Sequence, residues 1–467
     1  GAEKLFFHTG KLFREGIIEK SNLDYTIRLD NLPAKRGVEL HAYWPRTDFA
    51  SARDQGLKGN RLEEFNRIED AIIKEKGRSK ILMDWIIPLL LSLSLLLSSF
   101  FQFMYRRKTS PSVKYAKNHR LYEPPMDLEP MVLAEAIYST SLDEVSPLAR
   151  GGGKFYFENL VQATLLDVID RGNVSIISRD DGIRLSIIKK SGLESFEKDC
   201  LNLAFSGKDE VMLSDLFEAY RVSDSLYRGA KAAEEEQIQR KGRKLISSFQ
   251  KKLEKMQEGV ERRISFLGIP EYYRPLNQEE KNFLLARGIC AILPLFLGFG
   301  LFWYNFDVHD HVFILLPIIG LLSLILGIVY ARSTKLDIRD GVLNEAGAEV
   351  YYLWTSFENM LRDIAHLDQA ELESIVVWNR LLVYATLFGY ADKVSQLMKV
   401  HQIQVENPDI NLYVAYGWHS MFHHSTAQMR NYASVANTAS TYSVSSSSGS
   451  SGGGFSGGGG GGSIGAF

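Results

Sequence analysis

Three long apolar runs interrupt an otherwise mixed pattern of hydrophobic and charged positions. They cover residues 81–105 (ILMDWIIPLLLSLSLLLSSFFQFMY), 288–305 (GICAILPLFLGFGLFWYN) and 312–331 (VFILLPIIGLLSLILGIVYA). About 20 helical residues, rising about 1.5 Å each, cross a hydrocarbon core of about 30 Å. The pattern therefore predicts three transmembrane helices, the second and third forming a hairpin. Their connection, NFDVHDH, carries Asp307 and Asp310 but no Lys or Arg. Lys281 and Arg287 stand before the hairpin, and Arg332, Lys335 and Arg339 follow it. The positive-inside rule puts the connection outside and both flanks inside. Parity then makes the N-terminal region extracytoplasmic and the C-terminus cytoplasmic. Asp84 falls near the outer end of the first run, within reach of headgroups.

The rest of the pattern divides around these spans. Residues 3–48 alternate as strands do, with Tyr25, Ile27 and Leu29, then Val38, Leu40 and Ala42, on single faces. Three strands bury too little surface to stand alone, so residues 1–55 read as the end of an extracytoplasmic β-sandwich whose beginning is expected upstream. Leu62, Phe65, Ile68, Ile72 and Ile73 recur at helical spacing, which predicts a juxtamembrane helix over 56–80.

Residues 109–226 open with a basic, Pro-containing linker expected to lie along the anionic inner leaflet. They continue as helix, amphipathic helix (FENLVQATLLDVIDRG), hairpin with an Asp180–Gly182 turn, and helix, an order like a winged helix-turn-helix. Residues 227–287 predict a charged amphipathic helix with a Leu245, Phe249, Leu253, Met256, Val260 stripe. This reads as a solvated stalk or as a basic helix lying on anionic lipid. Aromatic-rich helices follow over 340–432, and the Ser- and Gly-rich tail, 433–467, is expected to be disordered. The fold class is a multi-domain α+β integral membrane protein.

Charge and candidate chemistry narrow the function only by exclusion. The net charge of −2 suggests no nucleic-acid partner, and Glu158, Asp167 and Asp170 oppose Arg171 on the helix that would enter a major groove. The two cysteines, Cys200 and Cys290, make no disulfide framework. His419, His423 and His424 in WHSMFHH come nearest to a metal set, because a spacing of four puts two imidazoles on one helical face. The sequence supplies neither the HExxH glutamate nor a clear third ligand, so interfacial histidines are the simpler reading. His309 and His311, beside Asp307 and Asp310, are a weaker candidate of the same kind. Gly151–Gly153 with Lys154 lacks the P-loop pattern and reads as a loop. No catalytic or cofactor-binding residue is assigned.

Two further stretches point to a family. LLDVIDRGNVSI (165–176) and VWNRLLVYATLFGYADKV (377–394), with the closely spaced span pair and the Gly-rich tail, resemble the bacterial predicted membrane proteins called domain of unknown function 2207 (DUF2207). The resemblance implies architecture rather than chemistry: a leading β domain, spans and a cytoplasmic region. Within it, Trp378, Tyr384 and Gly389 are candidates for a partner-binding groove, against simple helix packing. The expected function is a non-catalytic scaffold or signal-coupling component meeting the lipid bilayer and other proteins, with a homo-oligomer among the expected assemblies. A transport-associated oligomer is the alternative, and a metal-dependent enzyme, resting on the histidines, comes third.

Overall fold

A computed structural model describes residues 3–8, 17–21, 24–29, 37–44, 61–112, 116, 118–148, 154–180, 182–222, 232–304 and 314–443. In chain order, strands β1 (Lys4–His8), β2 (Ile17–Lys20), β3 (Tyr25–Arg28) and β4 (Glu39–Tyr43) precede helix α1 (Leu62–Ile81). A π-helical turn (Leu82–Ile86) leads into α2 (Ile87–Thr109). Then come α3 (Pro130–Tyr138), α4 (Leu142–Val145), α5 (Phe157–Asp170), β5 (Val174–Arg179), β6 (Gly182–Ile187), α6 (Ser195–Ala204) and β7 (Glu210–Met212). Long α7 (Glu235–Phe266), α8 (Gln278–Tyr304) and α9 (Leu315–Asp340) follow. The order closes with α10 (Glu345–Asp363), α11 (Gln369–Glu373), α12 (Trp378–Phe388), α13 (Ala391–Val400), α14 (Pro408–Tyr416) and α15 (His419–Ser440). The chain divides into two compact units, one holding residues 1–111 and 274–342, the other 112–273 and 343–467.

In the first unit the three apolar runs form helices long and apolar enough to cross a membrane. The juxtamembrane helix and first span, expected as separate elements, are one 48-residue helix from Leu62 to Thr109. Pro88 does not break it, because Pro is tolerated in the first turn after the π segment. The bundle is tied by hydroxyls that donate to backbone carbonyls: Ser94 bonds that of Cys290 at 2.8 Å and Ser98 that of Arg287 at 3.1 Å. At Gly298, a Cβ would stand 2.7 Å from the Leu316 carbonyl oxygen, so only Gly permits the approach of α8 to α9. Arg287, expected simply as a flank, is buried, donating to Gln102 Oε1 at 2.6 Å and to Thr334 Oγ1 at 3.3 Å. The bonds of Arg106 to the Ser333 carbonyl and of Lys108 to Glu279 bring the cationic flanks of α2, α8 and α9 to one end.

Outside the spans, β1 pairs antiparallel with β4, and β2 with β3. Strand β2 (IIEK) is an addition to the expected set; its four residues are too few to show alternation.

The second unit has one continuous core, to which residues 109–226, 227–287 and 340–432 all contribute. Its centre is α5, where every residue but Asn159 and Asp170 is buried. Each such Leu, Val or Ile contributes roughly 1.5–3 kcal/mol by leaving water. Gly172, at φ +68°, ends the run and turns the chain into β5. The expected two-stranded hairpin is part of a three-stranded antiparallel sheet, with β6 between β5 and β7. The helix that a winged-helix reading would lay in a DNA groove is thus the interior of the unit.

Helix α7 packs against α15, and a Cβ on Gly242 would lie 2.5 Å from the Ser440 backbone nitrogen. Buried Ala433, Ala436 and Ala439 face that approach and extend α15 through Ser440. The disordered tail, expected from residue 433, therefore starts too early in that reading. Its remainder from 444, the loop with Asp307, His309, Asp310 and His311, and Gly151–Gly153 lie outside the described residues.

Candidate functional site

Strand parity and helix periodicity build a polar site in the first unit that the sequence pattern does not announce. Phe6 and His41 are cross-strand partners, so Phe6 and His8 of β1 share a face with His41 and Tyr43 of β4. That face meets α1 through Phe65, whose ring lies 6.0 Å from Phe6 and 5.8 Å from Tyr43. Glu69 stands one helical turn beyond Phe65, and Lys76 two turns further on the same side.

Of the expected stripe, Leu62, Phe65 and Ile72 are half-buried on the Glu69 side of α1, but Ile68 and Ile73 are not. Ile68 and Ile73 are about half exposed, at 47% and 51%, whereas Glu69 is 2% exposed and is the only residue of α1 that is fully buried. A carboxylate so far from water must be compensated. His8 Nε2 lies 2.9 Å from Glu69 Oε2, and His41 Nδ1 bonds Oε1 of the same carboxylate. The two imidazoles meet edge-on, 4.8 Å between centroids. The other nitrogen of His41, Nε2, lies 3.1 Å from Glu39 Oε1. Hydrogen bonds that His41 donates to the Glu39 and Glu69 carboxylates hold its imidazole above its ordinary pKa. Lys76 Nζ is 2.8 Å from His8 Nδ1. Because Lys76 donates, Nδ1 accepts, and the proton of His8 sits on Nε2 facing Glu69.

His8, His41 and Glu69 are the group among the described residues whose ligand atoms all lie within 4.8 Å of one another. The signal for this lies in three places: the His41-Ala42-Tyr43 strand, the strand-terminal His8, and an acidic residue one helical turn after an inward Phe. The pairing of β1 with β4, across 30 residues of connection, has no local signal.

The candidates singled out from the sequence fall elsewhere. His419 is partly buried, its Nδ1 3.2 Å from Gln162 Nε2 and 3.3 Å from the Tyr413 hydroxyl. Burial, with His423 beside it, pushes its pKa down. The His419 and His423 rings are 6.1 Å apart, and neither they nor His424 meet a third ligand in the described residues. Tyr384 is fully buried against Trp354, at 5.2 Å, and Phe357, at 5.8 Å. Its hydroxyl accepts from the Leu128 backbone N–H at 3.0 Å, and burial pushes its pKa up to about 12. Gly389, at φ +83°, caps α12. Gly389 is exposed, and the largely buried Trp378 borders a cleft of about 490 Å³ with Asp170, Asn379 and Asn407. Lys154 is held by Glu358 at 2.5 Å and lies over the Tyr138 ring at 4.5 Å. Burial lifts the Cys200 thiol to about 12, which leaves it unreactive at neutral pH.

A second charged cluster lies inside the other unit. Arg380 bonds Asp167, which is 1% exposed, while Arg171 bridges Asp167, at 2.8 Å, and the fully buried Glu197. Arg380 also donates to the Leu128 carbonyl at 3.1 Å. Every charge here has a charged partner, so the cluster locks α5, α6 and α12 together rather than presenting a reactive group.

Comparison with known families places this region. The C-terminal domain of the DUF2207 predicted membrane proteins matches residues 118–398, more than half of the chain. The chain belongs to the DUF2207 family. No curated protein and no solved structure matches it. The DUF2207 match takes in α8 and α9 as well as the core around α5, so it covers two of the three membrane-spanning helices. The histidine–glutamate cluster lies upstream of it.

Proposed function

We propose that this DUF2207 protein is a non-catalytic signal-coupling component of the cell membrane. The strand module around Glu69 faces the extracytoplasmic side, and the core around α5 acts in the cytoplasm as a docking module for other proteins. The observation that carries this reading is the uninterrupted helix from Leu62 to Thr109. Glu69 and Lys76 sit on its first third, so a change at the histidine cluster moves the same rigid element that enters the bilayer. A helix transmits rotation and displacement where a loop would absorb them. The cationic end shared by α2, α8 and α9 supports the orientation, since Lys and Arg favour the cytoplasmic side. The cleft beside Trp378, with exposed Val376 on its rim, is a surface to which a partner could bind.

The test is hydrogen exchange on the full chain in lipid nanodiscs. His8→Ala is expected to change amide protection within 118–398, and Lys80→Pro, which breaks the helix, is expected to abolish that response. Changes confined to residues 3–81 in both backgrounds would rule coupling out.

A further inference from the structure

We propose that His8, His41 and Glu69 form a binding site for a borderline divalent transition-metal ion, with Zn²⁺ as the type. Two imidazole nitrogens and a carboxylate oxygen are a donor set that favours such ions over Ca²⁺ or Mg²⁺, which take oxygen donors. The three donors come from three elements, β1, β4 and α1, already packed through Phe6, Tyr43 and Phe65. The three ligand atoms all lie within 4.8 Å of one another. Tetrahedral ligands about 2.1 Å from zinc stand about 3.4 Å apart, so a side-chain rotation of roughly an ångström closes the site. Glu39 on His41 Nε2 completes a carboxylate–histidine pair, the outer partner that fixes ring orientation in zinc sites. Three protein donors leave a fourth position for water or for an external ligand. Its presence on the long helix makes the ion a natural input to the coupling proposed above, but binding stands on this geometry alone.

One residue opposes loading. Lys76 Nζ donates to His8 Nδ1 and so keeps the ring proton on Nε2, the nitrogen that must face the metal. Loading moves that proton to Nδ1, and the partly exposed Lys76 arm must turn away. A purely structural hydrogen-bond cluster would lose its bond to His8 when Lys76 is replaced. A metal site gains from the same change, through a free tautomer and one less cation nearby.

The experiment uses the full chain without a polyhistidine tag, chelator-stripped in nanodiscs and titrated with Zn²⁺ and Co²⁺ against a competing dye. Visible d–d bands report Co²⁺ coordination, and elemental analysis gives stoichiometry. One Zn²⁺ per chain is expected, not displaced by Mg²⁺ or Ca²⁺. Glu39→Gln should weaken binding about 10- to 100-fold. His8→Ala and His41→Ala should weaken it by more than about 100-fold, beyond that outer-partner effect. Lys76→Met should tighten it, an outcome that misfolding cannot mimic, and His423→Ala with His424→Ala should leave it unchanged. Absence of stoichiometric binding overturns the proposal. So does binding that survives His8→Ala and His41→Ala, binding lost with His423 and His424, or a Lys76→Met chain that binds no tighter. Binding that passes these tests without altering protection in 118–398 would retain the site and reject the coupling.

Discussion

At the scale of single residues, the two charged clusters differ in what surrounds them. Arg380 is enclosed with Asp167 and the nearby Glu197, and burial pushes the Glu197 carboxyl up against the pull of Arg171. Arg380→Ala would remove the Asp167 partner on α12 and leave it only Arg171, at a cost of about 1–3 kcal/mol, seen as a lower denaturation midpoint of the full chain in detergent. Arg380→Met with Asp167→Asn should recover part of that loss; a double variant no better than the single would mean that packing, not charge, is at stake. His419 gives the unit a pH dependence. Its folded pKa is depressed by burial, so below about 6.5, where the unfolded imidazole is protonated, unfolding takes up a proton and stability falls. That contribution is complete above this value and is lost as the pH drops toward the folded pKa. The difference in Tm between wild type and His419→Gln should therefore shrink on going from pH 7.5 to 5.5; a constant difference would show that His419 binds its proton equally in the folded and unfolded chain.

At the scale of elements, the readable features are those set by local pattern. The three apolar runs announce their helices because length and composition suffice for a span, whatever packs against them. The stripe of α7 is equally plain, but Phe249, Leu253, Met256 and Val260 are buried in the unit's core, not on the solvated stalk or lipid surface its charges suggest. What local pattern cannot carry is a long-range partner. Nothing in a run of Ser, Ala and Asn says that α15 extends to Ser440, since the reason is Gly242, nearly 200 residues earlier. Gly242→Leu should force α7 and α15 apart and expose the Ala433–Ala439 face, read as faster exchange at 429–440 and a lower Tm. Unchanged protection there would mean that α15 holds itself. Glu69 misleads for the same reason: a charged residue in an amphipathic pattern is assigned to water unless its histidine partners are known. Ile68 and Ile73 then take the inward side by default.

At the scale of the whole molecule, membrane integration and DUF2207 membership follow from the spans and from the match over 118–398. Function is less legible because the residues that could sense something, His8, His41 and Glu69, are brought together only by the fold. The histidines adjacent in the chain, His419, His423 and His424, gain a helical face from that adjacency but no third ligand. The buried candidates Tyr384 and Trp378 illustrate the converse. Aromatic residues in a distinctive stretch build the core around α5 and α12, and only the Trp378 edge meets a cleft. Signal coupling depends finally on one mechanical property, the rigidity of the helix that joins the Glu69 cluster to the bilayer, including its π-helical turn at 82–86. Spin labels at Ile73 and Arg107, both exposed, in a chain with Cys200 and Cys290 replaced, measure it in nanodiscs by electron–electron dipolar spectroscopy. Thirty-four residues of unbroken helix span about 51 Å. A single narrow distribution near that length is expected; a broad or markedly shorter one would place a hinge between the cluster and the membrane and contradict coupling through this helix.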